Sequence, residues 1–386
     1  MTMTSGSGTY IGYEPPGTKA PLRSEPPRKK KGGWIAVVAA SLVVGGLSGA
    51  AAAVLIDDEP AAPVVIEVPA AAEPVAPSNT DVPTFLGVDP AAVGATVIPS
   101  IVTVQVGSIQ NGEFVPTASG SGVVFDPSHI ITNHHVIDGA TAVRVVLSDG
   151  RVYDAEIVGS DPITDVGVLV LETTDLDPLT LGATDTLTVG MPAIAVGSPL
   201  GLDGGPSLSV GVISALGREV RTGPDVVLFG MIQTDAPITN GSSGGALVDA
   251  NGRLIGITTA VGASQLGIEG IGFATPIEIV ERVATEIIET GSASHALLGI
   301  LGSTAFEQIS ESGVMPVGVT VEEVTESSSA AIAGIVVGQV ITSVDGVPVR
   351  TMDELITALR HYSAGETVTI ELTDGGMVTL QLGTRE

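Results

Sequence analysis

Between Pro83 and Gly291 the sequence is a succession of short apolar runs broken by turn residues. They read "IVTVQV", "SGVVF", "AVRVVLSDGRVYDAEIV", "DVGVLVLE", "AIAVG", "SVGVISAL" and "GALVDANGRLIGITTAV". Short runs rich in Val and Ile, bounded by Gly, Asp and Asn, form strands. Asp149-Gly150 in "SDGR" and Asn251-Gly252 in "ANGR" are hairpin signals. Many short strands over about 200 residues point to barrels or a sandwich. One helix closes the segment. Ile277, Val280, Val283 and Ile287 recur at helical spacing, Thr275 is placed to N-cap it, Pro276 suits its first turn, and Gly291 ends it.

Hydrophobic residues are 44% of the chain but aromatics only 3%, so aliphatic side chains must fill the interior. There is no cysteine. Disulfides, thiolate metal sites, thiol catalysis and lipid attachment through an N-terminal Cys are thereby excluded. No HExxH or clustered His pattern exists, so no metal site is expected. Residues 296–384 form a second unit of mixed strands and helices. In it "TMDELITAL" opens on Thr351 with Glu354 three residues on, a capping box. Leu355 and Leu359 make its apolar stripe, and Gly365 follows its end.

Charge divides the chain sharply. Residues 1–33 carry six Lys/Arg against two Glu, whereas residues 57–386 carry nine Arg against 41 Asp/Glu. A body this acidic repels nucleic acid and anionic membrane surfaces. Residues 1–33, rich in Pro, Gly and Ser and ending in "RKKKGG", read as a disordered tail. Trp34 to Ile56 is an uncharged run of 23 residues. As a helix it would measure about 34 Å, enough to span a bilayer. Arg28–Lys31 before it and Asp57–Glu59 after it orient the tail to the cytoplasm and the rest outside, which makes the protein a single-pass plasma-membrane protein. The small residues "SGAAAA" keep a cleaved signal peptide open as the alternative. Residues 57–82, of Ala, Pro, Val and acid, read as an extended linker.

Chemistry concentrates in "TNGSSGGALV" (Thr239 to Val248) and "ITNHHVID" (Ile131 to Asp138). A serine hydroxyl needs a base to take its proton, a carboxylate to orient that base, and N–H groups aimed at the developing oxyanion. The frame Gly-x-Ser-Gly-Gly fits with Ser243 as nucleophile. Gly241 then lets the backbone turn so that the N–H groups of Gly241 and Ser243 converge. With Ser242 as nucleophile, Asn240 would replace the first glycine and Ser243 the following one, and the frame fails twice.

These blocks resemble the HtrA/Deg family of trypsin-like serine proteases, in the family's His–Asp–Ser order. In "TNHHV" the family's catalytic His directly precedes Val, which falls on His135. In "DPITDVGVLVL" the match for the triad Asp is Asp165, with Asp161, before Pro162, the weaker choice. The nucleophile matches Ser243. "SGSGVVF", "SVGVISALGR" and "GIGFATP" match as well, and the last implies a substrate groove at Ile271, Gly272, Phe273 and Ala274. The chain departs from the family at Asn240, where proline is usual, at Ser242, where asparagine is usual, and at His134. The resemblance implies a chymotrypsin-like double β-barrel over residues 83–291.

The C-terminal unit resembles a PDZ domain, from "LLGI" through "SSSAAIAGIVVGQVITSVDGVPV" to the helix after Thr351. The resemblance implies an α+β fold in which Leu298, Gly299 and Ile300 receive the terminal carboxylate of a peptide added as an extra strand. Together these readings predict a mainly β, membrane-anchored, extracytoplasmic serine endopeptidase that needs no cofactor. The resemblance implies unfolded proteins or peptides as substrates in protein quality control, cleavage after smaller aliphatic residues, and a homotrimer. Two alternatives stay open: a non-proteolytic chaperone or peptide-binding scaffold, and a signalling protease with one membrane substrate.

Overall fold

The structure, a computed structural model, describes residues 86–198, 205–222, 226–259, 270–310 and 313–384. The tail, the apolar run 34–56 and the linker 57–82 lie outside the described residues. Among the described residues no helix is long and apolar enough to cross a membrane.

Helix α1 (Pro90–Val97) opens the described chain. Its apolar pattern does not announce it, but Asp89-Pro90 does. The Asp89 carboxylate accepts from the Ala91 and Ala92 N–H groups at 3.0 and 3.2 Å, satisfying donors that a helix start leaves open. Six strands follow: β1 (Ile101–Gln110), β2 (Glu113–Val124), β3 (His129–Thr132), β4 (Ala142–Val146), β5 (Val152–Asp161) and β6 (Val166–Leu171). They close into a barrel in the order β1-β2-β3-β6-β5-β4. The one-turn helix α2 (His134–Ile137) leaves β3. A second closed barrel holds β7 (Pro192–Gly197), β8 (Ser207–Arg221), β9 (Val227–Thr234), β10 (Ala246–Val248), β11 (Leu254–Thr259) and β12 (Gly272–Pro276), in the order β10-β11-β12-β9-β8-β7. Closure leaves no unpaired edge in either sheet.

The apolar runs are continuous because both faces of these strands are buried. Val102, Ile130 and Leu169 point into the first barrel. Their chain neighbours Ile101, Ile131 and Val168 point into a second core shared between the barrels. The second barrel alternates likewise, with Leu247 and Ile255 inside it and Ala246 and Leu254 in the shared core. Helix α3 (Ile277–Thr290) seals that shared core with Ile277, Val280, Val283 and Ile287, each at most 1% exposed. Full burial of each such side chain contributes about 1.5–3 kcal/mol. The largest fully buried side chains are Ile, Leu and Met, as the scarcity of aromatics requires.

One local expectation is overturned. Thr275 does not cap α3. It lies buried in β12, its hydroxyl reaches the Thr164 carbonyl at 3.4 Å, and Pro276 stands at the N-cap without a side-chain bond. Sheet pairing of Thr275 with Ile257 takes precedence over capping. Gly291 does end the helix, at φ +84°.

The second unit comprises β13 (Ala296–Leu297), β14 (Ile300–Ser310), β15 (Gly313–Val324), helix α4 (Ser329–Ile332), β16 (Val340–Val344), β17 (Val347–Pro348), helix α5 (Met352–Leu359), β18 (Thr367–Leu372), β19 (Met377–Gln381) and β20 (Gly383–Thr384). Six of the strands form a sheet, in the order β14-β15-β16-β18-β19 with β17 paired to β16, over a core of Val319, Ile341, Leu355 and Ile370. Thr351 caps α5 by accepting from Glu354 N–H at 3.1 Å. The Glu354 carboxylate reaches one residue further back than in a capping box, to Arg350 N–H at 2.7 Å.

Polar contacts tie this unit to α3 and β5. Arg282 donates to the Arg360 carbonyl at 3.1 Å and to the Ser294 carbonyl at 3.2 Å. His295 Nε2 lies 3.0 Å from Asp161 Oδ1, with both side chains buried.

Candidate active site

The first barrel supplies an imidazole and a carboxylate. His135 sits in the single turn of α2, and Asp165 immediately precedes β6. His135 Nδ1 lies 2.8 Å from Asp165 Oδ2, and the His135 backbone N–H donates to Asp165 Oδ1 at 3.0 Å. With the carboxylate on Nδ1, the neutral imidazole carries its hydrogen there and presents Nε2 as the acceptor. The carboxylate is 8% exposed and the imidazole 42%, so the pair is anchored at one end and open at the other.

Asp165 adopts a left-handed backbone, φ +59°, a conformation that costs a non-glycine residue of order 1–3 kcal/mol. Its carbonyl is held in place by Asn133 Nδ2 at 2.9 Å and by His134 N–H at 3.2 Å. This backbone twist turns the carboxylate toward His135 while β6 enters the barrel. Asp161, the other candidate, is spent elsewhere. It accepts from Ile163 N–H, Thr164 N–H and the Thr164 hydroxyl, and it faces His295.

The second barrel supplies the serine, on the turn between β9 and β10. Ser242 N–H donates to the Thr239 carbonyl at 2.9 Å, and Gly241 has φ +89°. An i to i+3 bond with a positive φ at the third residue is a type II turn, which calls for glycine there. Gly244, at φ +85°, and Gly245 admit no side chain either: a Cβ would lie 2.1 Å from the Ser121 carbonyl at the first and 2.5 Å from the Val196 carbonyl at the second. The glycines that flank Ser243 therefore serve the turn and its close approach to the first barrel. Ser121 grips the turn from that side. Its hydroxyl donates to the Gly241 carbonyl at 2.7 Å and its N–H to the Ser243 carbonyl at 2.8 Å.

Further contacts bring the halves together. Thr259, at the end of β11, donates its hydroxyl to Asp165 Oδ2 at 3.0 Å. A Cβ on Gly120 would meet Val136 Cγ1 at 2.7 Å and the Ser243 carbonyl at 3.3 Å, so the residue after His135 and the serine turn border the same small space. Ser243 itself is 6% exposed. Asn133, Thr259 and Ser121 were not legible as functional in the sequence. Asn133 and Ser121 lie inside the motifs, but only the fold reveals what they bond.

The remaining candidates are placed as follows. Ile271 and Phe273 are half-buried and Gly272 and Ala274 buried at the start of β12. Gly272 packs on Ile238, where a Cβ would come within 2.6 Å of Ile238 Cδ1. Leu298 and Gly299 are buried, and Ile300 starts β14. Gly299 has φ +78°, and a Cβ there would lie 2.2 Å from Ser328 Cβ. A cavity of about 500 Å³ opens beside this segment, between Leu297, Met352 and Ile356 on one side and Ile163 and Phe229 on the other. Two further histidines have side-chain partners: His134 with Ser160 at 2.9 Å and His129 with Asp126 at 2.7 Å.

Paired six-stranded barrels meeting at a serine turn and a His–Asp pair define a chymotrypsin-like serine peptidase, here followed by a PDZ domain. The model of the trypsin-like peptidase domain matches residues 120–257, and that of the PDZ domain matches residues 320–373. The serine protease PepD of Mycobacterium tuberculosis is 35% identical over 347 residues, covering 84% of this chain and 71% of its own. The periplasmic serine endoprotease DegP of Escherichia coli is 39% identical over 271 residues, 69% of this chain, and the match spans 56% of its length. Among solved structures, the HtrA-type protease AlgW with a tripeptide superposes with a TM-score of 0.60 at 31% identity, covering 77% of this chain and 97% of AlgW. The chain belongs to the HtrA family of trypsin-like serine endopeptidases.

Proposed function

We propose that the protein hydrolyses peptide bonds in unfolded or damaged extracytoplasmic proteins, with His135, Asp165 and Ser243 as its triad. The observation that carries this reading is the 2.8 Å approach of Asp165 Oδ2 to His135 Nδ1, which leaves Nε2 as the base. In the proposed cycle His135 takes the Ser243 proton as the hydroxyl attacks the scissile carbonyl. The Gly241 and Ser243 N–H groups receive the oxyanion, and Asp165 stabilises the charged imidazole. His135 then protonates the leaving amine, and water repeats the sequence on the acyl-enzyme. No cofactor takes part.

The residues assigned to the groove, Ile271–Ala274, are apolar, and the Ile238 side chain packs directly on Gly272. Both features favour smaller aliphatic residues before the cut. The cavity beside Leu297 suits the apolar last residue of a peptide whose carboxylate meets Leu298, Gly299 and Ile300. The apolar run 34–56 and its flanking charges support a single-pass anchor with the enzyme outside the cytoplasm. The name of DegP as a periplasmic protease agrees with that side of the membrane. A trimer built by the protease domain completes the proposal.

The test is proteolysis of an unfolded model substrate by the full chain beside Ser243→Ala and Ser242→Ala. Loss of at least about 10⁴-fold for Ser243→Ala, with Ser242→Ala active, is the expected result. A dead Ser242→Ala variant would overturn the register, and a Ser243→Ala variant that keeps full function would favour the binding scaffold.

A further inference from the structure

We propose that Thr258 is a positioning residue for the oxyanion site, acting through the carbonyl of Ser242. The inference rests on Ser243 as nucleophile and adds a residue to that reading. The Ser243 N–H and the Ser242 carbonyl belong to one peptide unit. Because that unit is planar, whatever orients the carbonyl orients the N–H on its opposite side.

Two donors hold the Ser242 carbonyl. Gly245 N–H donates at 3.0 Å, within the turn itself, and the Thr258 hydroxyl donates at 2.7 Å, from β11 outside it. Thr258 also pairs with the turn through its backbone. Its carbonyl accepts from Gly244 N–H and its N–H donates to the Gly245 carbonyl, both at 2.9 Å. Any residue at position 258 would make those two backbone bonds. Only a hydroxyl there reaches Ser242.

A cavity of about 190 Å³ lies behind the turn, lined by Pro237, Thr239, Ser242 and Thr258 among others. Ser242 borders that space, and Gly197 and Gly245 pack close to its backbone. Of the two hydrogen bonds to the Ser242 carbonyl, the one from the Thr258 hydroxyl ties the peptide to the barrel strand β11. Thr258 itself is 1% exposed, so its side chain is held by its surroundings. Its neighbour Thr259 points the other way along the strand, to Asp165. Adjacent residues of β11 thus brace the two halves of the site separately.

The experiment compares the full chain with Thr258→Val, Thr258→Ser, Thr258→Ala and Ser243→Ala on an internally quenched peptide, and measures inhibition by a peptide boronic acid. The boronate adduct places an oxygen in the oxyanion site, and the ground-state substrate does not. For Thr258→Val we expect kcat to fall about tenfold, KM to stay within about twofold and boronate inhibition to weaken about tenfold, the size of one lost hydrogen bond in transition-state terms. Thr258→Ser restores both to within about threefold. If Thr258→Val does not fold, Thr258→Ala provides the same comparison. Unchanged kcat and boronate affinity overturn the proposal, as does a loss shared equally by KM that Ser does not rescue. A Ser243→Ala variant that still cuts overturns the nucleophile assignment itself. A silent Ser243→Ala beside a fully active Thr258→Val removes only the role of Thr258.

Discussion

The Thr259 hydroxyl donates to Asp165 Oδ2 at 3.0 Å, a bond that runs from the second barrel to the carboxylate of the first. Asp165 is 6% exposed, so each donor it loses is a donor no water readily replaces. Thr259→Val keeps the shape and removes that donor. We expect kcat/KM to fall about tenfold and stability by about 1–2 kcal/mol, since hydrogen bonds to charged groups contribute about 1.5–3 kcal/mol. Steady-state kinetics and a urea titration check both.

Asn133 is fully buried and bonds the Asp165 carbonyl through Nδ2, while its Oδ1 has no partner among the described residues. A side chain that tolerates a stranded acceptor is kept for its donor. Asn133→Asp replaces that donor with an acceptor facing a carbonyl. It should therefore be worse than Asn133→Ala, which only removes the clamp on a left-handed residue. The ordering of kcat, parent above Ala above Asp, is the readout.

Gly299→Ala should damage the PDZ unit and leave the protease barrels intact. The added methyl meets Ser328 Cβ at 2.2 Å, and the φ of +78° disfavours any side chain. We expect a loss of PDZ stability of at least about 1 kcal/mol. Binding of an apolar C-terminal peptide should weaken more than tenfold, with cleavage of a short peptide changed less. Calorimetry of peptide binding beside peptide hydrolysis separates the two.

Burial alone would raise the Asp161 carboxyl, but hydrogen bonds from His295, Thr164 and Ile163 outweigh it and hold it below the ordinary carboxylate value. The folded protein therefore binds fewer protons here than the unfolded chain. The resulting stability is present above the unfolded value of about 3.9 and is lost as pH falls through the lower folded value. Urea midpoints measured from neutral pH into the acid range should drop below about pH 4, and less steeply in Asp161→Asn. His295→Ala strands the buried carboxylate and should cost about 3 kcal/mol at neutral pH.

His361 shows the same sign at higher pH. Burial pushes its imidazole down, with Glu278 acting in the opposite direction and Arg282 adding to the depression. Stability from this site is intact above about pH 6.5 and declines as pH falls toward the folded value. His361→Gln should flatten the melting temperature between pH 7 and 5.

Much of this molecule is legible in its sequence. The strands announce themselves as apolar runs between turn residues, and the glycines around Ser243 announce a tight turn, which forms at Thr239–Ser242 with Gly241 at φ +89°. Helix α3 is read from Ile277, Val280, Val283 and Ile287, which lie in the shared core. These are local properties: a period, a φ that glycine alone adopts easily, a short side chain before a helix. Long-range contacts were not legible. Thr275 looked like a cap until β11 paired with it. Asp161 and Asp165 are four residues apart, and what separates their roles is that one meets His295 and the other His135. Asn133, Ser121, Thr258 and Thr259 act through carbonyls and carboxylates on other elements, Thr259 at a sequence separation of 94 residues. No local pattern encodes such partners, because only the folding of each barrel and the packing of one barrel against the other set which hydroxyl faces which oxygen.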